Sequence, residues 1–136
     1  MTSIETSIFT KIINREIPGF IPYETDNVTV LISLEGHPLI IPKQHFTDIY
    51  ELPEDIAAEI MQIAVKVAQA VKKVTGCEGI NLIQSNGVIA GQDVFHFHLH
   101  IKPRYLDDDV KLHWNTDTQP EKIRNTFCNE LQKFLN

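Results

Sequence analysis

Apolar residues recur along this chain at two spacings, and each spacing predicts a different kind of element. Between Thr6 and Asn14, Ile8, Phe9, Ile12 and Ile13 fall on one side of a short helix, with Thr6 or Ser7 placed to cap its first amides. Pro18 and Gly19 end that helix, and Pro22–Glu24 and Val28–Ile32 follow as two strands around an Asp26-Asn27 turn. Leu39-Ile40-Ile41, bracketed by Pro38 and Pro42, is a third strand. The longest element is set by Ile56, Ile60, Ile63, Val67, Val71 and Val74 at helical spacing, with Glu54, Glu59, Gln62, Lys66 and Lys73 on the wet side. Pro53 suits the start of this helix and Gly76 its end. Ile80–Gln84 and Phe95–Lys102 are the fourth and fifth strands, the latter closed by Pro103. Over about 119–135 a final helix carries Ile123, Phe127, Leu131 and Phe134, preceded by the capping-box pattern Thr118-Gln119-Pro120-Glu121. Strands in runs joined by short turns predict an α+β fold with an antiparallel sheet.

The fifth strand carries the chemistry. From Phe95 to Ile101 the residues alternate strictly, so His96, His98 and His100 share one face, while Phe95, Phe97, Leu99 and Ile101 point into the core. Aligned imidazoles can bind a metal, move a proton or attack phosphorus as neutral nucleophiles. They can also be plain surface histidines, or zinc ligands completed by Asp93, His37 or His45. The loop leading in, Ser85 to Asp93, has Gly87 and Gly91, which permit a backbone path that turns N–H groups toward an anion. A phosphate held there would sit against the middle of the histidine row.

Composition narrows the partners. With 136 residues, 12 Lys or Arg, 18 Asp or Glu and a net charge of −6, the chain suits one domain, with a core over about 7–104 and a helical tail. The acidic balance argues against coating a nucleic acid polymer. No apolar run reaches a membrane span, and the N-terminus lacks an export signal, so no membrane partner and a cytoplasmic location are expected. Two cysteines, Cys77 and Cys128, make no disulfide framework and have no metal-ligand spacing, and no cofactor is expected.

The run Ala90-Gly91-Gln92-Asp93-Val94-Phe95-His96-Phe97-His98-Leu99-His100-Ile101 resembles the signature of the histidine-triad (HIT) superfamily, and its details resemble the Hint branch of nucleoside phosphoramidases. Ile8–Ile13, Glu16-Ile17-Pro18 and Gly36 to His45 agree, in order; Lys102 departs from the pattern. The resemblance implies a five-stranded antiparallel sheet with two main helices, assembled as a homodimer. It implies a nucleotide-binding hydrolase of AMP phosphoramidates or related adenylates, in which His98 attacks the α-phosphorus and a nucleotidyl-histidine is then hydrolysed. His100 and His37 are implied to flank the phosphate, the Gly91-Gln92-Asp93 loop to donate to it, and His96 to support the row from behind. Ile8, Phe9, Ile12, Leu31 and Leu34 match base-pocket positions and also read as ordinary core.

Some positions depart from the family. Zinc-carrying members have Cys-x-x-Cys where this chain has Ser7 and Thr10, so no metal is expected there. Ser33 stands in the region of the family's ribose-binding Asp, Ser85 where Asn is common, and Asp93 where a hydroxyl often meets the leaving group. A non-catalytic nucleotide- or partner-binding module is therefore an alternative, and a metal-dependent hydrolase using His96, His98 and His100 is another. The segment Asp107 to Trp114 matches no element and reads as a solvated turn.

Overall fold

A computed structural model describes residues 7–136. Helix α1 (Ile8–Ile13) leads into β1 (Tyr23–Glu24), β2 (Val28–Ile32) and β3 (Pro38–Pro42). Helix α2 (Glu54–Thr75) crosses to β4 (Gly79–Ile83), a 3-10 turn spans Val88–Ala90, and β5 (Leu99–Arg104) and α3 (Glu121–Leu135) complete the chain. The five strands form one sheet in the order β1-β2-β3-β5-β4, every pair antiparallel. This is the predicted α+β architecture. Thr6, offered as a cap, lies outside the described residues; Ser7 performs that task, its hydroxyl accepting from the Thr10 N–H at 3.1 Å. No helix among the described residues is long and apolar enough to cross a membrane.

The sheet buries both faces over different partners. On one, Val28, Val30, Ile40, Phe97, Leu99 and Ile101 pack against Ile60, Ile63 and Ala64 of α2. On the other, Leu31, Leu39 and Ile41 pack against Phe9 of α1. Strand alternation explains the split, because neighbours such as Val30 and Leu31 point to opposite sides. Helix α2 has the terminal charges its dipole favours, Glu54 and Asp55 first and Lys72 and Lys73 last, and stops at Gly76 in the left-handed region (φ 68°).

Three expectations change. β5 begins at Leu99, not Phe95, and runs through Pro103 instead of ending at it. The β3–β5 ladder starts at the Ile40–Leu99 pair, since further back the facing residue is Pro42, which has no N–H, and its carbonyl accepts from the His96 ring. Past His100, β5 no longer pairs with β3, which makes it an edge that tolerates Pro103. Phe95, assigned to the core, is 46% exposed, because without a ladder residues 95–98 leave the flat pleat. Lastly, the capping box does not form: α3 starts with Pro120 at its N-cap, two residues after Thr118, and no side chain caps it.

Candidate active site

His45, His96, His98, His100 and His37 stand in a row on the α1 side of the sheet. Ring centroids are 5.0 Å apart for His45–His96, 5.0 Å for His98–His100 and 5.2 Å for His37–His100. Phe9 closes the remaining gap edge-on, 6.0 Å from His96 and 5.0 Å from His98. The row is therefore packed, and His96 and His98 are buried, where strand alternation alone had suggested a wet face.

Hydrogen bonds fix what each ring can do. The His98 Nδ1 lies 2.8 Å from the His96 carbonyl. A carbonyl only accepts, so Nδ1 carries the proton and Nε2 keeps its lone pair. Two residues earlier, the His96 Nε2–H donates to the Pro42 carbonyl at 2.8 Å. Its Nδ1 must then accept, and it does so from the Ser7 hydroxyl at 2.7 Å, with the Thr10 hydroxyl at 3.3 Å. Burial is the main cause that holds His96 down to about 4, so it stays neutral, against the Pro42 bond, which pulls upward. His96 thus anchors the backbone whose carbonyl orients His98.

At the other end, the His37 Nε2 and His100 Nδ1 are 2.9 Å apart, a bond in which one ring donates and the other accepts. The Ser33 hydroxyl accepts from the His37 N–H at 3.2 Å and lies 3.5 Å from its Nδ1, so Ser33 closes the turn that presents His37. Burial, followed by the positive charge His98 and His37 would carry, lowers His100 to about 4; Glu35 and Asp93 act against it. Burial also lowers His37, with Lys102 adding to it. Both rings are neutral at neutral pH, and a hydrogen-bonded pair of neutral imidazoles can pass a proton along its line.

The loop before the row is built differently from its expected role. Gly87 and Gly91 take the left-handed φ values of 92° and 95° that the turn needs. The Gly91 N–H is already bonded to the Val88 carbonyl at 2.9 Å and the Gln92 N–H to Gly87 at 3.1 Å, so neither is free for a phosphate. The Gln92 side chain is buried under the loop, accepting from the Gly87 N–H and donating to the Thr47 and Val94 carbonyls. It pins the loop, with its amide oxygen and amide protons already engaged by backbone groups. Asp93 is exposed at the loop's end, close enough to His100 to act on its charge. Ser85 is half-buried at the loop's start.

Of the base-pocket positions, Phe9 and Leu31 are buried in the α1 cluster with Ile12 at its edge, and Ile8 is half-exposed. Leu34 is fully exposed and lines nothing, because the short Ser33–Gly36 turn projects it into solvent. A groove of about 510 Å³ lies on the α2 side of the sheet, and none of the histidines lines it.

The zinc set does not fit. Hydroxyls of Ser7 and Thr10 are poor zinc ligands, and both already serve His96, while the His45 Nε2–H donates to the Phe95 carbonyl at 2.8 Å. Nor do His96, His98 and His100 converge as ligands: both nitrogens of His96 and one of His98 are spent on protein groups.

Sequence reasoning missed two features. Pro42 anchors His96 through its carbonyl, which no side-chain pattern reveals. The hydroxyls of Ser7 and Thr10, spaced i and i+3 where zinc-carrying members have cysteines, are partners of His96, a role their spacing alone does not reveal. The puzzling acidic segment is structural: the Asp108 carboxylate bonds Arg104 Nε at 2.7 Å and the Tyr105 and Val110 N–H groups, which holds it well below the usual carboxylate range.

Comparison with known proteins agrees with this geometry. The HIT domain family matches residues 14–107. The Protein hit of Bacillus subtilis is 36% identical over 133 residues, spanning 92% of each chain. The Adenosine 5'-monophosphoramidase HNT1 of Saccharomyces cerevisiae is 40% identical over 101 residues, 71% of this chain and 61% of its own. The crystal structure of a HIT family protein from Bacillus anthracis superposes with a TM-score of 0.92 at 33% identity, covering 98% of this chain and 100% of that one.

Proposed function

The chain belongs to the HIT family, and from that premise we propose that it hydrolyses phosphoramidates or related adenylates of AMP through a covalent intermediate on His98. One observation carries this reading: the His98 Nδ1–H bond to the His96 carbonyl, which leaves the Nε2 lone pair as the free end of the ring. The yeast phosphoramidase among the relatives supports the substrate class.

In the first step Nε2 attacks the α-phosphorus and a P–N bond to the ring forms. The bond to the leaving amine breaks, its electron pair stays on the amine nitrogen, and a proton from solvent reaches it, directly or relayed along the neutral His37–His100 pair. In the second step water attacks the same phosphorus and gives up a proton to solvent, the ring–phosphorus bond breaks with its electron pair returning to Nε2, and AMP leaves with His98 restored to neutrality. The imidazolium formed on attack keeps its Nδ1 proton on a carbonyl oxygen, whose partial negative charge stabilises it.

Release of AMP from adenosine 5'-phosphoramidate, followed chromatographically, tests this. The native chain turns the substrate over, and His98→Ala lowers kcat by roughly 10³-fold or more. Equal rates in the two proteins would remove His98 from the reaction.

A further inference from the structure

Lys102 stands where the histidine row ends, and neither the fold nor the chemistry at His98 employs its charge. Strand register puts it in a line across the sheet. Leu39 faces His100 and Ile40 faces Leu99, so the same register carried two residues further sets His37 opposite Lys102. Ile32 faces Pro38, and the Ser33 N–H donates to the His37 carbonyl at 2.9 Å, which sets Ser33 opposite His37. Ser33, His37 and Lys102 therefore form one cross-strand row on the α1 face, next to the row of Leu31, Leu39 and His100. The β3–β5 ladder has ended here, so no backbone pairing closes the space between His37 and Lys102.

The row holds one unspent cation. Lys102 is half-buried and has no carboxylate within 4.0 Å among the described residues. Its neighbour on β4, Asn81, is held by Arg104, and Arg104 by Asp108. Burial lowers the pKa of His37 and the Lys102 charge adds to it, so the ammonium lies near that ring. The Ser33 oxygen accepts from the His37 N–H, while its proton has the His37 Nδ1 at 3.5 Å, long enough for the hydroxyl to turn to a ligand. Glu35, exposed on the same turn, bears on His37 and His100 but lies beyond 4.0 Å from Lys102. A half-buried ammonium without a counter-ion, beside a site that handles phosphate, suits an anion brought by the ligand.

We propose that Lys102 and the Ser33 hydroxyl form a subsite for a second phosphate on the substrate, carried by the ribose, so that the chain favours nucleotides of the 3',5'-bisphosphate type. The proposal rests on the nucleotide reading above and adds specificity-determining residues to it. Two residues of strand, about 7 Å, separate Lys102 from His100. That span is comparable with the distance between the 5'- and 3'-phosphorus atoms of one nucleotide. Ser33 and Lys102 are two strand spacings apart, about 10 Å, which leaves room for a phosphate between a short side chain and a long one. Asp93 enters the site from the loop before the histidines, and Lys102 from the strand after them. A leaving group turned toward Asp93 thus leaves the sugar on the Lys102 side.

Equilibrium binding of three probes to the full chain tests this: AMP, adenosine 3',5'-bisphosphate, and ADP, whose second phosphate extends from the α-phosphorus. The 3',5'-bisphosphate should bind at least about tenfold tighter than AMP. Lys102→Met should bring that ratio close to one, and Lys102→Arg should keep most of it. Glu35→Gln should widen it about threefold by removing a nearby negative charge. AMP binding with no gain from the 3'-phosphate, or a gain that survives in Lys102→Met, would overturn the subsite and leave the reading of His98 intact. A Lys102-dependent gain shown by ADP and not by the bisphosphate would overturn the placement on the ribose. Binding of none of the three would overturn the nucleotide reading, and the subsite with it.

Discussion

Replacing Ser7 with Ala removes one hydroxyl that serves two partners. Its oxygen accepts from the Thr10 N–H at the start of α1, and its proton goes to the His96 Nδ1 at 2.7 Å. Loss of a helix cap costs about 0.5–2 kcal/mol. A buried acceptor left without a donor costs a further ~1–3 kcal/mol, and His96 is fully buried. Thr10, at 3.3 Å, can swing in to serve the same nitrogen, so the second cost is only partly incurred. The expected loss is about 1.5–3 kcal/mol, read from urea unfolding at fixed chain concentration. Thr10→Ala alone should cost less, because Ser7 remains. In the Ser7→Ala background it should cost about 1 kcal/mol more than in the native chain, since the imidazole nitrogen then has no donor. A Ser7→Ala loss under ~0.5 kcal/mol, or a strictly additive cycle, would refute the claim that these hydroxyls hold His96.

Acid should destabilise the fold through the same ring. His96 is held near 4 chiefly by burial, while in the unfolded chain it titrates near 6.5, so the unfolded state takes up protons first as pH falls. Stability is therefore full above pH 6.5 and is lost progressively toward pH 4, by on the order of 3 kcal/mol from His96 alone, with His100 acting in the same direction. Unfolding midpoints that stay flat between pH 7 and 4.5 would contradict this. For Asp93, an ionised carboxylate beside His100 accepts from an amine leaving group and repels a phosphate one. Asp93→Ser should accordingly narrow the kcat/KM preference for adenosine 5'-phosphoramidate over a diadenosine polyphosphate by ~1–2 kcal/mol, and an unchanged ratio would take Asp93 out of substrate choice.

Much of this site was legible in the sequence because side-chain periodicity is what it encodes directly. The alternation from Phe95 to Ile101 placed three histidines on one side, and the spacing from Ile56 to Val74 placed α2 across the opposite face. Periodicity carries no record of who bonds to the backbone. Hence the start of β5, decided by the missing N–H of Pro42, was misplaced by four residues, and Phe95 went to the core instead of the surface. Gln92 looked like a ligand contact because polar residues beside glycines suggest a binding loop; its burial and three carbonyl and amide partners are tertiary facts. The Thr118 box failed since Pro120 set the helix start downstream. The stripe on α3 was visible in sequence, but the exposure of every residue of that helix was not.

The central claim is that His98 becomes covalently bound to the nucleotide. The direct measurement is peptide mapping by mass spectrometry of protein quenched within one turnover on adenosine 5'-phosphoramidate, under conditions that preserve acid-labile P–N bonds. An adenylyl group should appear on the peptide containing His98, rise with release of the amine and decay at the rate AMP forms. Full turnover with no adduct at any time, or an adduct on His37 or His100 that decays at that rate, would contradict it.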